Sequence, residues 1–138
     1  MKKEVTLKIV LPNIPDIELV ALEGLDRLAR HLGISDAKIG EAKIIVTEAL
    51  VNAFEHAGED NAGVHVEFTM TPKELSIFVR DHGKGFEQMS VEDPVLETKL
   101  GSVNKRGWGL KLMKSLSDDF HIESSSNGTT ITIKKLLT

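Results

Sequence analysis

Glu48, Asn52 and His56 are spaced i, i+4, i+8. On a helix they stack one turn above another on nearly the same side. They sit in the stretch Ile39 to Ala57, IGEAKIIVTEALVNAFEHA, which is otherwise apolar almost all the way round. Ile39, Ala42, Val46, Ala49, Ala53 and Ala57 form one stripe, widened by Leu50 and Phe54, with Ile44 and Val51 on the far flank. Between these flanks runs a narrow polar seam of Glu41, Glu48, Asn52, Glu55 and His56. A carboxylate and an amide on a mostly buried helix need partners. Two readings are open: a surface helix whose seam faces water, or a seam that lines a pocket and holds a charged ligand or a metal ion.

Three further groups bear on that choice. Asp81-x-Gly83-x-Gly85 ends a strand-like run. Its bland reading is a turn whose glycines accept positive φ. Its functional reading lets a planar ligand approach the backbone while Asp81 accepts hydrogen bonds from that ligand's amino group. Arg106-Gly107-Trp108-Gly109 leads into Leu110 to Leu116, where Leu110, Met113 and Leu116 give a short helical pattern. A hinge before a core helix would look the same. Two glycines and a helix start would also expose backbone N–H groups and a positive dipole end to an anion. Lys105 and Arg106 add charge where phosphates would sit, and Trp108 reads as packing on the preceding loop rather than as a base stack. Gly128-Thr129-Thr130 at a hairpin is ordinary strand sequence taken alone.

The elements around these groups follow from periodicity. Val5 to Leu11 reads as a strand stopped by Pro12, and Asp16 is placed to cap a helix over Ile17 to Leu32 that ends at Gly33. Ser35 caps the helix that carries the seam. Val64 to Met70 and Leu75 to Arg80 read as a hairpin across Thr71 to Glu74, and Phe120 to Ser124 and Thr129 to Leu136 as a closing hairpin across Ser125 to Gly128. Glu87 to Lys105 has no period, and such a stretch inside a small domain marks a lid, a binding loop or a disordered segment. The expectation is one α/β (α+β) domain over residues 1–138. It is a two-layer sandwich with the helices on one face of a mixed, mostly antiparallel sheet.

The totals exclude some classes. With 138 residues the chain can bury one real core, and 41% hydrophobic with 28% charged residues is ordinary globular composition. A net charge of -4 disfavours a general nucleic-acid binder. The absence of cysteine removes disulfides, thiolate metal sites and cysteine nucleophiles. No apolar run is of membrane-spanning length, and Met1-Lys2-Lys3 leads into a strand pattern rather than a signal-peptide core. A soluble cytoplasmic domain, with no direct contact to membrane or nucleic acid, is expected. There is no Walker-type glycine-lysine loop, which excludes a P-loop enzyme as far as motifs can.

Taken together and in this order, Glu48-x-x-x-Asn52, Asp81-x-Gly83-x-Gly85, a long loop, Gly107-x-Gly109 and Gly128-Thr129-Thr130 resemble the nucleotide-binding boxes of the GHKL (Bergerat) ATPase superfamily. Within it, the length and the wording VTEALVNAFEHA look most like the bacterial anti-sigma-factor serine kinases of the RsbW/SpoIIAB type. The resemblance covers roughly residues 5 to 136. It implies ATP and Mg²⁺ as cofactors, with Asn52 coordinating the metal and Glu48 acting as general base or orienting the attacking hydroxyl. Asp81 would read the adenine amino group, Gly83 and Gly85 would shape that side of the pocket, and Thr130 would support it. Lys105, Arg106, Gly107, Trp108, Gly109 and Leu110 would form the phosphate side, and residues 87–105 the ATP lid. His56 is read as a structural histidine closing its helix. By the same resemblance the chain would phosphorylate a serine or threonine of an anti-anti-sigma (STAS-type) partner, sequester a sigma factor, and form a homodimer. A nucleotide-dependent regulatory module without phosphotransfer, or the catalytic half of a split histidine kinase, are the alternatives. No phospho-accepting histidine on an upstream dimerisation helix is present, so a self-contained sensor kinase does not fit.

Overall fold

The computed structural model describes residues 3–57, 63–83 and 103–138, with backbone alone for 56, 57 and 103–107. They form β1 (Val5–Leu11), α1 (Glu18–Leu32), α2 (Asp36–Ala57), β2 (Val64–Met70), β3 (Glu74–Asp81), α3 (Val103–Leu116), β4 (Asp119–Ser125) and β5 (Gly128–Leu136). The strands join in the order β1-β2-β3-β5-β4, antiparallel at every described pairing.

Period-two alternation decides which face is covered. Val66 opposes Val79, Phe68 opposes Ile77 and Met70 opposes Leu75, and β5 continues the rows with Ile131 and Ile133. All of these are buried. They meet Ala21, Leu25 and Ala29 of α1, and Ile39, Ala42, Ile45, Val46, Ala49, Leu50 and Ala53 of α2. Each large side chain buried this way stabilises the fold by roughly 1.5–3 kcal/mol before entropy is counted. On the far flank of α2, Ile44 and Val51 remain exposed.

Turn chemistry fixes the connections. Thr71 Oγ1 accepts from the N–H groups of Lys73 and Glu74, and Thr71 N–H donates to the Glu74 carbonyl, which closes the β2–β3 hairpin. Gly33 stops α1 in the left-handed region at φ 72°, and Ile34 N–H returns to the Ala29 carbonyl. Ser35 Oγ accepts from Lys38 N–H at 3.3 Å and so caps α2 as expected.

Two local expectations are corrected. Asp16 does not cap α1 with its side chain: it sits at φ 63°, and its backbone carbonyl, not its carboxylate, takes the Leu19 N–H. The turn at Pro15 places the chain so that Ile17 becomes the cap position, with no side-chain bond. Likewise α3 begins at Val103, seven residues ahead of Leu110. Both glycines of the Gly107-Trp108-Gly109 run therefore lie inside the helix, at a propensity cost of up to about 1 kcal/mol each.

Candidate functional site

Two clusters stand on the core side of the sheet. The first belongs to α2. Asn52 is only 4% exposed. One turn before it, Glu48 is half-buried and faces α3: a β-carbon built on Gly109 would lie 2.7 Å from Glu48 Oε2. The seam of α2 thus looks inward at these two residues. The other end of the seam is committed elsewhere, since Glu41 Oε1 accepts a 2.7 Å hydrogen bond from Lys135 Nζ. That bond, and then the charge of Lys135, hold the Glu41 carboxyl below the ordinary glutamate value.

The second cluster sits where β3 ends. Asp81 is 1% exposed, and its Oδ1 accepts from Gly83 N–H at 2.9 Å, which fixes the carboxylate. Gly83 is buried beside it. Across the sheet Asp81 is paired with Thr129, and Gly128 packs so closely that a β-carbon there would come 2.1 Å from the Asp81 carbonyl oxygen. At φ 137° only glycine suits Gly128. A pinned, buried carboxylate accepts hydrogen bonds and donates none. Such a group selects a ligand edge that carries an amino group.

Alternation moves one assignment. Thr130 pairs with Arg80 and Glu123 and points to the outer face of the sheet, away from the core side that Asp81 occupies. The threonine beside Asp81 is Thr129, 2% exposed, with its Oγ1 3.1 Å from Ser124 Oγ. Its signal was in the sequence: Thr129 shares parity with the inward Ile131 and Ile133, and Thr130 does not. Leu110 belongs to the hydrophobic core, where its side chain seats α3. Trp108 is 43% exposed on α3, with Lys111 Nζ 5.4 Å from its ring centre. Gly85, residues 87–102 of the expected lid (87–105), and the side chains of His56, Lys105 and Arg106 lie outside the described residues, and 103–105 are the first turn of α3.

The donor set fits magnesium that travels with a polyphosphate. An amide oxygen is a hard donor, and Mg²⁺ keeps much of its coordination for phosphate oxygens and water. Among the described residues no group of three histidine or acidic side chains could hold an ion unaided. Nor, among them, is any helix long and apolar enough to cross a membrane.

Comparison with known proteins decides the family. A model of the histidine kinase-like ATPase domain matches residues 15–135. The chain belongs to this family. This ATPase domain is 33% identical over 120 residues to a serine-protein kinase RsbW of Bacillus licheniformis, covering 82% of this chain and 74% of the relative. It is 31% identical over 104 residues to an anti-sigma F factor of Anoxybacillus flavithermus, covering 73% and 71%. The fold matches the solved RsbU and RsbW domains of a Mycobacterium tuberculosis protein with a TM-score of 0.70 at 18% identity. There it covers 96% of this ATPase domain, which spans about a third (32%) of that longer chain. It is therefore a GHKL-type ATPase domain related to the RsbW and anti-sigma F factors.

Proposed function

We propose that this ATPase domain binds Mg-ATP between α2, the Asp81 end of the sheet and α3, and transfers the terminal phosphoryl group to a serine or threonine of an anti-anti-sigma (STAS-type) protein. In the same reading it sequesters a sigma factor and works as a homodimer in the cytoplasm. What supports this most is the inward turn of the α2 seam, with Asn52 buried and Glu48 held against Gly109.

The residues divide the work. Asp81, fixed by Gly83, accepts from the adenine amino group, and Thr129 supports that edge in place of Thr130. Asn52 would hold magnesium, which supplies charge neutralisation to the phosphates when bound. The N-terminal half of α3, with Lys105, Arg106, Gly107 and Gly109, would form the phosphate side, Gly85 would shape the adenine side together with Gly83, and the stretch before α3 would supply the lid. Glu48 accepts the proton of the attacking hydroxyl or orients it. Phosphoryl transfer needs little else from a protein than this positioning and charge balance.

The test is titration calorimetry with ATP, with and without Mg²⁺, followed by phosphotransfer to candidate anti-anti-sigma proteins. Glu48→Gln is expected to keep ATP binding and to lose transfer by about 10²–10⁴-fold. Unaffected transfer in that variant removes the role given to Glu48. No binding of ATP by the unaltered chain removes the whole reading.

A further inference from the structure

Lys135 occupies an inward position of β5, in line with Ile131 and Ile133 and opposite Leu75. Its side chain is 3% exposed. Nζ donates to Glu41 Oε1 on α2 at 2.7 Å and to the carbonyl oxygen of Leu116, the last residue of α3, at 2.9 Å. The chain just beyond is stitched to the same strand. Asp118 N–H donates to the Lys134 carbonyl at 2.9 Å, and Leu136 N–H donates to Asp118 Oδ2 at 2.6 Å. One ammonium group therefore ties together β5, α2 and the C-terminal end of α3.

A cation suits that end, where the last carbonyls of a helix lack intrahelical partners and the dipole is negative. Yet burying an ammonium group is costly, and an aliphatic side chain would fill the same space at least as well. What lysine adds is direction, since its bonds have preferred lengths and angles and apolar contacts do not. The direction matters because α3 carries Gly109, which sits on Glu48. Gly109 lies seven residues before Leu116, so about 10 Å along the rod. A tilt of about 10° at the tied end would move Gly109 by about 2 Å. Misplacement of about 1 Å near reacting groups can cost about 100-fold in rate.

We infer that Lys135 is a positioning residue for the nucleotide site: it fixes the C-terminal end of α3 against Glu41 so that Gly109 stays seated on Glu48. The consequence for catalysis rests on the phosphotransfer reading above; the clamp itself does not.

Trp108 makes the clamp observable. It is the only tryptophan in a chain without tyrosine, and it neighbours Gly109. Its fluorescence therefore reports on α3 alone. In nucleotide-free protein, Lys135→Met is expected to change acrylamide quenching of Trp108 by about twofold with an unchanged far-ultraviolet circular dichroism spectrum, because the helix tilts without melting. With ATP and partner, kcat is expected to fall about tenfold or more with a smaller change in KM for ATP. Glu41→Gln keeps the bond to Leu116 and should show smaller changes of the same sign. If Lys135→Met does not fold, Glu41→Gln carries the test alone, and wild-type quenching and kcat in it overturn the proposal. Unchanged quenching in folded Lys135→Met overturns the clamp, and changed quenching with wild-type kcat overturns its link to the site. Failure of the unaltered chain to bind ATP overturns the phosphotransfer reading instead, and quenching then still decides the clamp.

Discussion

Oε2 of Glu48 lies where a β-carbon on Gly109 would meet it at 2.7 Å. The atom that would be struck is the far end of a flexible side chain, so an alanine can be accommodated by moving Glu48. Alanine is also the better helix former, by up to about 1 kcal/mol. Gly109→Ala is therefore expected to leave the melting temperature unchanged or slightly raised, while phosphoryl transfer drops by about tenfold to 100-fold. Thermal melts beside single-turnover transfer separate the two effects. Full activity with a raised melting temperature would mean that the present seat of Glu48 is not the one the chemistry uses.

Asn52 tests the metal assignment separately. Asn52→Ala removes one hard oxygen from a buried position. ATP affinity in the presence of Mg²⁺ is expected to weaken by about tenfold to 100-fold, which corresponds to roughly 1.4–2.8 kcal/mol. Without Mg²⁺ the affinity should change little. Calorimetric titration under both conditions reads the difference, and equal losses in the two would assign Asn52 to packing alone.

The two adjacent threonines give opposite predictions. Thr129 shares the core face with Asp81, and Thr130 shares the outer face with Arg80. Thr129→Val is expected to weaken ATP binding by about three- to tenfold, the scale of one hydrogen bond, and Thr130→Val to leave it unchanged. Because Thr129 also bonds Ser124, Ser124→Ala serves as the control for lost packing at that pair. A loss confined to Thr130→Val would reverse the assignment.

Much of this was legible in the residues, and the misses have physical reasons. The alternating strands and the greasy helix from Ile39 announced the sandwich, since burial on one face leaves period two and period 3.6 in the chain. The seam of Glu48 and Asn52 was visible, but not whether it faced water, because a helical wheel does not say what covers it. Gly107 and Gly109 read as a hinge before a short helix, whereas the helix runs through both, and at Gly109 the missing β-carbon admits Glu48. The motif Gly128-Thr129-Thr130 taken as a block points to Thr130, whereas strand parity turns Thr129 to the core side. Nothing local marks Lys135 beyond its place in the strand Thr129 to Leu136. Its partners Glu41 and Leu116 are 94 and 19 residues away, and no local pattern reports such contacts.

Glu41 provides a prediction in pH. The hydrogen bond from Lys135, and then its charge, lower the Glu41 carboxyl below its ordinary value in the folded protein. The unfolded chain takes up the proton first as pH falls, so folding gains from Glu41 in full above the ordinary glutamate value. That gain is lost as pH drops from the ordinary value through the lowered folded one. Glu41→Gln has no proton to take up there, so the stability difference between the unaltered chain and Glu41→Gln should shrink on acidification from about pH 6 to about pH 3. Urea unfolding midpoints at several pH values in that range measure it. In a Lys135→Met background the difference should be small and flat with pH, because the partner that lowers the carboxyl is gone. A pH-independent difference in the unaltered background would show that the Lys135–Glu41 bond seen here does not persist in solution.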